Sequence, residues 1–242
     1  MKAAAGRTGV GKRRVAVFDI DGTLFRSSLV IELVEKLIEK GLFPPESRQE
    51  YEEARIKYLN REGDYATHYT NYVNALVKVF GRQIKGLPFD EVSYIAGEVI
   101  EEKKNRLYRY TRDLVRKLKK RGYFLLAVSR SPKFIVDGLG YELGFDKVYG
   151  TFYATGASDN FTGLIEDEDL IKNKAAVLTR AVRKENLTLE GSLAVGDTET
   201  DIPMLEMVET PICFNPNAAL YKHAKRRKWK VVVERKDVIY EL

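Results

Sequence analysis

The chain has 242 residues, 44% of them apolar and 31% charged, so it can bury a full core as one large domain or two modest ones. Its single cysteine, Cys213, excludes an internal disulfide, and the sequence shows neither a long apolar span nor a secretory segment, so we expect a cytoplasmic protein. The net charge of +6 is concentrated in residues 1–14 and 222–230. We interpret these segments as a flexible basic tail and a solvated helix face. The alternative is a patch that binds an anionic partner, although we do not expect nucleic acid to be that partner.

The first predicted strand is the apolar run of residues 15–18, which leads directly into Asp19, Asp21, Gly22 and Thr23. An open α/β sheet keeps its chemistry at the carboxyl ends of its strands. On an extended chain Asp19 and Asp21 point the same way, so the two carboxylates need a cation beside them or must share a proton. A simple turn is the alternative, because Asp-Gly is a common turn dipeptide.

The next segment, residues 27–106, is predicted to be helical throughout. Apolar spacing and breakers divide it into helices near residues 31–40, 46–59 and 65–80, and a fourth after Pro88. A block of this length is too long for a connection, so we expect a small helical subdomain. Its tyrosines at 51, 58, 65, 69 and 72 are assigned to the core and interface of that subdomain.

Strands and helices alternate over the remaining chain, residues 107–242. We predict strands at 123–128, 192–195, 211–214 and 230–233, a hairpin of 148–154 with 161–165, and helices at 112–120, 133–139, from Asn173 and from Asn217. This alternation predicts a doubly wound, mainly parallel α/β sheet, with residues 15–26 and 107–242 as its core.

Polar side chains follow three of these strands where each one ends. They are Asp19 with Asp21, then Ser129, then Asp197 with Asp201 four residues on. In a parallel sheet these ends share one edge, and a group of carboxylates beside a hydroxyl suits Mg²⁺. The two histidines, His68 and His223, follow none of these strands, which argues against zinc.

Each of these residues also has a purely structural interpretation. Ser129 fits a turn before Pro132, and Asp201, which precedes Ile202-Pro203, fits a helix N-cap. A lysine at the start of a helix capped by Asn173 would add positive potential for a phosphate; Lys174 is favoured, with Lys172 as its competitor.

Four motifs in order, Asp19-x-Asp21-Gly22-Thr23, Ser129, Lys174 and Gly196-Asp197-x₃-Asp201, resemble those of the haloacid dehalogenase-like hydrolases. The resemblance extends from about residue 15 to about residue 233. The helical block is similar to that superfamily's C1 cap. The hairpin ending in Phe161-Thr162-Gly163, together with Asn215-Pro216-Asn217, resembles the phosphoserine phosphatase-like branch.

The resemblance implies a phosphatase for a small phosphorylated metabolite, in which Asp19 is the nucleophile that forms an aspartyl phosphate and Asp21 is the general acid and base. Mg²⁺ would be held by Asp19, the Asp21 backbone carbonyl and Asp197, with Asp201 orienting it through water. Thr23, Ser129 and Lys174 would bind phosphate oxygens.

One departure from the branch concerns Arg130, which stands where phosphoserine phosphatases usually place a small residue. Its backbone N–H can still bind phosphate, and two roles are open for its side chain: narrowing the crevice or binding an anionic substrate. Two rivals to a phosphatase remain at this point. One is a signalling receiver domain phosphorylated on an aspartate, and the other is a non-catalytic binding protein on the same scaffold.

Overall fold

Eight strands of the computed structural model, which describes residues 11–60 and 64–242, form one sheet. In chain order they are β1 (Arg13–Asp19), β2 (Phe124–Pro132), β3 (Lys147–Thr155), β4 (Phe161–Glu166), β5 (Leu187–Gly196), β6 (Thr210–Phe214), β7 (Lys230–Arg235) and β8 (Val238–Glu241). They lie in the order β4-β3-β2-β1-β5-β6-β7-β8. The six inner strands pair in parallel, and the edge strands β4 and β8 are antiparallel to their neighbours.

Ten α-helices of the described chain surround this sheet. They are α1 (Leu29–Glu39), α2 (Gln49–Asn60), α3 (Tyr65–Gln83), α4 (Phe89–Lys103), α5 (Arg109–Lys120), α6 (Lys133–Leu143), α7 (Glu168–Lys172), α8 (Lys174–Lys184), α9 (Ile202–Leu205) and α10 (Ala218–Arg227). The predicted doubly wound, mainly parallel α/β fold is confirmed.

Strand β1 shows why the sheet is covered on both faces. Ala16 and Phe18 belong to one hydrophobic cluster, which includes residues of α1 and α4, whereas Val15 and Val17 belong to a second cluster with residues of α8 and α10. All four side chains are fully buried. A strand that is buried on both faces requires the continuous apolar run from which it was predicted.

Two boundaries differ from the sequence prediction. Strand β1 begins at Arg13, so residues 13 and 14 belong to the sheet rather than to the predicted tail of residues 1–14; residues 1–10 of that tail lie outside the described residues. The Arg13 guanidinium explains this extension, because it donates to the Tyr123 carbonyl (2.9 Å) and pairs with Asp146. Strand β2 continues through Ser129 to Pro132 instead of ending before the serine.

Two short elements, α7 and β8, were not predicted. Helix α7 has five residues and β8 has four, and most of their side chains are at least partly exposed. Such short segments carry too little apolar periodicity to stand out from a loop.

Two neighbouring chain segments connect the helical block to the sheet, near the predicted limits of the block. Phe25 and Leu107 form an antiparallel bridge, and the Arg26 amide donates to the Arg106 carbonyl (2.9 Å). The Arg26 guanidinium also pairs with the buried carboxylate of Glu234 on β7. These contacts fit the expected division into a core (15–26 and 107–242) and a cap (27–106), which stays a prediction.

Part of the basic segment 222–230 is neutralised within the fold. Arg227 pairs with Glu206 (2.8 Å) and Lys230 with Glu241 (2.6 Å), whereas Lys222 and Lys225 are exposed. None of the helices in residues 11–60 and 64–242 combines the length and the apolar character needed to cross a membrane.

Candidate active site

Asp19, the last residue of β1, lies at the centre of the candidate site. It is 5% exposed, and its Oδ1 accepts a hydrogen bond from the Lys174 ammonium. Its Oδ2 is buried and has no hydrogen-bond partner in the described chain. Burial raises the pKa of Asp19 to about 7, although the Lys174 charge opposes this rise. A buried carboxylate with one unpartnered oxygen is a position at which a cation or an electrophile would be stabilised.

Lys174 is the lysine that the fold brings to Asp19. It is the first residue of α8, where the Asn173 side chain caps the helix by accepting from the Ala176 amide (3.1 Å). Its ammonium is buried and donates to both Asp19 and Asp201. Burial disfavours the charged ammonium, but the two carboxylates outweigh it and raise the pKa of Lys174 above its ordinary value. The competing Lys172 is half exposed and pairs with Glu168 (2.8 Å).

Asp197 and Asp201 reach the site from the end of β5. The Asp197 Oδ1 accepts from the Thr23 hydroxyl (3.1 Å), and burial together with the carboxylates of Asp19 and Asp201 raises the pKa of Asp197. Asp201 is fully buried, and its Oδ2 accepts from the backbone amides of Asp197 and Thr198, both at 3.0 Å. Its carboxylate therefore fixes the turn after β5 and also holds Lys174. Asp201 stands at the N-cap position of α9, as predicted, but its side chain makes no cap hydrogen bond to that helix and accepts from the Thr198 amide instead.

Two glycines let these loops approach one another. Gly22 has a φ of +84°, and a Cβ there would lie 2.2 Å from the Asp197 Oδ2. A Cβ on Gly196 would lie 2.5 Å from the Cβ of Asp201. Only glycine leaves room for the two acidic loops to meet at this distance.

Asp21 does not join the carboxylates of Asp19, Asp197 and Asp201. Its Oδ1 accepts from the Leu29 amide at the start of α1 (2.6 Å), and its Oδ2 accepts from the hydroxyls of Ser129 and Ser131. Strand β1 ends at Asp19, so the extended geometry from which a shared direction of Asp19 and Asp21 was predicted does not reach Asp21. The chain leaves the strand after Asp19, because amides from Thr23 to Phe25 fold back onto the Ile20 carbonyl.

The remaining predicted residues differ in exposure. Thr23 and Ser129 are fully buried, with their hydroxyls on Asp197 and Asp21 respectively. Arg130 is exposed between the buried Ser129 and Ser131, and its backbone carbonyl accepts from the Thr151 hydroxyl (2.6 Å). Its guanidinium forms no ion pair in residues 11–60 and 64–242.

Sequence reasoning missed two residues near the site. Ser131 binds Asp21 (2.9 Å), and the only sequence signal was a second hydroxyl two residues after Ser129. Tyr69 of α3 is the other. Burial raises its pKa, and the charges of the nearby Asp21 and Asp197 raise it further. Nothing in its spacing distinguished Tyr69 from the tyrosines of the cap core.

The donor set fits a hard divalent cation. Carboxylate oxygens of Asp19, Asp197 and Asp201 all lie within 4.8 Å of one another. Their mutual repulsion, together with the unpartnered Asp19 Oδ2, would be relieved by such a cation, and oxygen-only ligands suit Mg²⁺. The arrangement thus combines a buried carboxylate, a fixed lysine and a group of carboxylate oxygens that fits a divalent cation.

Several known proteins are similar to this chain in sequence. A protein of Streptomyces azureus named for inhibition of morphological differentiation is 26% identical over 91% of this chain and 78% of its own length. A phosphoserine phosphatase of Archaeoglobus fulgidus is 27% identical over 86% of this chain, which spans 54% of that relative's length. A histidinol-phosphatase of Neisseria meningitidis is 24% identical over 91% of this chain and 98% of its own.

Solved structures show the same fold. A Bordetella pertussis protein of unknown function is 21% identical, with a TM-score of 0.70 over 91% of this chain and 98% of its own. A phosphoserine phosphatase solved as a phospho-aspartyl intermediate analogue is 22% identical, with a TM-score of 0.58 over 93% of this chain and 95% of its own. The family model described as haloacid dehalogenase-like hydrolase matches residues 16–206. The chain therefore belongs to the haloacid dehalogenase-like hydrolases.

Proposed function

We propose that this hydrolase is a Mg²⁺-dependent phosphatase that cleaves a small phosphomonoester through an aspartyl phosphate on Asp19. The observation that carries the proposal is the meeting of Asp19, Lys174, Asp197 and Asp201 at one sheet edge. The phosphatase names of the Archaeoglobus and Neisseria relatives support the same chemistry. A bound Mg²⁺ would neutralise negative charge on the phosphate and the carboxylates.

The first half of the reaction transfers the phosphoryl group to the protein. A carboxylate oxygen of Asp19 attacks phosphorus, the bond from phosphorus to the ester oxygen breaks, and the leaving oxygen takes a proton from Asp21. Lys174 holds the nucleophile in place through Oδ1. Thr23 and Ser129 are the proposed hydroxyl ligands of the phosphate oxygens.

The second half returns the protein to its starting state. Asp21 takes a proton from water, the water oxygen bonds to phosphorus, and the bond from phosphorus to Asp19 breaks to release inorganic phosphate. Asp21 accepts from Leu29 through Oδ1 and from Ser129 and Ser131 through Oδ2, which leaves a lone pair on Oδ1 to hold the transferred proton.

The substrate-level alternative is a phosphoserine phosphatase, favoured by the names of relatives such as the Archaeoglobus enzyme. Phosphoserine therefore belongs in any substrate panel. The outcome that would favour a receiver domain instead is a long-lived phosphoprotein without turnover.

The experiment is hydrolysis of p-nitrophenyl phosphate by the purified protein, with Mg²⁺ and after its removal by a chelator. Turnover should require the metal and vanish in Asp19→Asn, which keeps the size of the side chain but removes the nucleophile. The matched control is Asp169→Asn, since Asp169 lies in the first turn of α7. Equal rates with and without Mg²⁺, or full activity in Asp19→Asn, would refute the proposal.

A further inference from the structure

We propose that Glu234 is a positioning residue for phosphoryl transfer, which holds Thr23 in place through the hydroxyl of Thr111. Glu234 lies near the carboxyl end of β7, outside the group of carboxylates at the site. Its side chain is only 1% exposed, and it takes no part in the proposed reaction steps. This inference rests on the proposed function and adds two residues that act on the site through Thr23.

The Glu234 carboxylate accepts hydrogen bonds from two separate chain segments. One donor is the Arg26 guanidinium, and the others are the backbone amides of Arg109 (3.1 Å) and Tyr110 (2.8 Å), the first two residues of α5. The N-cap residue of α5, Tyr108, forms no side-chain cap, so Glu234 satisfies these amides from a distant strand. The carboxylate thus fixes the start of α5 and the chain after β1 to one point.

Stability alone does not account for a buried carboxylate at this position. Taking a charge out of water is costly, and apolar residues of similar volume often stabilise a fold as well as a buried ion pair does, or better. A carboxylate that accepts from three directed donors also fixes where those donors lie, which an apolar contact does not. The contacts of Glu234 therefore define the geometry of the segments that they join.

The segment held by Glu234 lies directly against the loop that follows β1. The Tyr108 amide donates to the Leu24 carbonyl (3.0 Å), and the Thr111 hydroxyl donates to the Thr23 carbonyl (2.9 Å). The other acceptor near the Thr111 hydroxyl, the Tyr108 carbonyl, is farther away at 3.4 Å. Thr111 is fully buried, so bulk water does not compete for its hydroxyl.

Thr23 lies between Thr111 and the site. Its carbonyl accepts from Thr111, while its hydroxyl donates to the Asp197 Oδ1 (3.1 Å). A shift of the Thr23 backbone would therefore move a proposed phosphate ligand and disturb its contact with Asp197. A displacement of about 1 Å that originates far from the chemistry can cost about 100-fold in rate. Glu234 is thus the anchor, Thr111 the link, and Thr23 the group that acts at the site.

The experiment measures kcat for p-nitrophenyl phosphate at saturating Mg²⁺, together with the urea denaturation midpoint of each variant. Thr111→Val removes the hydroxyl and keeps the branched side chain, Thr111→Ser keeps the hydroxyl, and Glu234→Gln keeps the size of the side chain without its charge. The matched control is Asp146→Asn. Asp146 also accepts from a backbone amide, that of Leu125 (2.8 Å), and pairs with Arg13, but at the opposite edge of the sheet.

We expect Thr111→Val and Glu234→Gln each to lower kcat by roughly 10- to 100-fold while both remain folded. Thr111→Ser should recover most of the kcat that Thr111→Val loses. The double variant Glu234→Gln/Thr111→Val should be no slower than the slower single variant, because both changes interrupt one path, whereas independent effects would multiply. Asp146→Asn should leave kcat unchanged.

An unchanged kcat in folded Thr111→Val would overturn the inference whatever Glu234→Gln does, because the path runs through this hydroxyl. A Thr111→Ser variant as slow as Thr111→Val, or multiplied losses in the double variant, would also overturn it. So would failure of either single variant to fold, since the contact would then serve stability alone. Each of these results leaves the proposed phosphatase intact. Absence of hydrolysis by the unmodified protein would instead refute the proposed function, and the inference with it.

Discussion

Replacing Lys174 by Met removes the ammonium that Asp19 and Asp201 share. The lysine side chain is only 5% exposed, and its two partners are 7% and 0% exposed, so water cannot take over its role. Breaking a buried ion pair by removing one partner costs about 3–5 kcal/mol. Since a domain is stable by about 5–15 kcal/mol in total, this single change should remove a large part of the free energy of unfolding.

The loss should depend on pH and on Mg²⁺. At pH 5.5 the carboxylates left behind can take up a proton, whereas at pH 8 they stay charged, so Lys174→Met should be more destabilised at pH 8. Mg²⁺ should restore part of the lost stability, because it binds the folded carboxylate cluster. Urea denaturation followed by circular dichroism, at both pH values and with and without Mg²⁺, measures each effect.

The control is Lys172→Met, two residues away. Lys172 is half exposed and pairs with Glu168 within α7, a helical pair worth about 0.5 kcal/mol or less. Equal small losses in the two variants, or a Lys174→Met loss that does not change with pH, would refute the account of a buried charge shared between two carboxylates.

Three further predictions concern neighbouring residues. Burial raises the pKa of Asp19 from 3.8 to about 7, so the folded protein keeps the Asp19 proton to a higher pH than the unfolded chain does. The free energy of unfolding of the Mg²⁺-free protein should therefore fall by up to about 4 kcal/mol as the pH rises from about 4 to 7. A free energy of unfolding that rises over this range, measured by urea denaturation at a series of pH values, would contradict this. Gly22→Ala should abolish hydrolysis and lower the melting temperature, since its Cβ would collide with Asp197 and its φ is positive; wild-type activity would disprove the close approach. Ser131→Ala should shift the pH profile of kcat, because it removes one donor from Asp21, and an unchanged profile would argue against that contact.

Much of the fold could be predicted because its signals are local. The apolar run before Asp19 predicted a strand buried on both faces, and Asn173 predicted the start of α8 by its capping position. The strand ends then predicted that Asp19, Asp197 and Asp201 meet, because parallel strands share one carboxyl edge. Each of these inferences needs only the direction of the chain and the residue pattern within a single strand or helix.

The rest depends on contacts between distant segments. The Asp21 carboxylate accepts from Leu29, Ser129 and Ser131, and which donors surround a carboxylate in a turn is settled by the packing of α1 against β2. The approach of Tyr69 to the site depends on how α3 lies over the sheet. Neither arrangement leaves a periodic pattern in the sequence.

The central claim is that Asp19 becomes phosphorylated during turnover. Rapid acid quenching of the Mg²⁺-loaded enzyme with a ³²P-labelled phosphomonoester, followed by peptide mapping, tests it most directly. We predict label on the peptide containing Asp19, appearing before free phosphate and decaying as phosphate is released. Steady release of phosphate with no label on the protein, or with label on a different residue, would contradict the account.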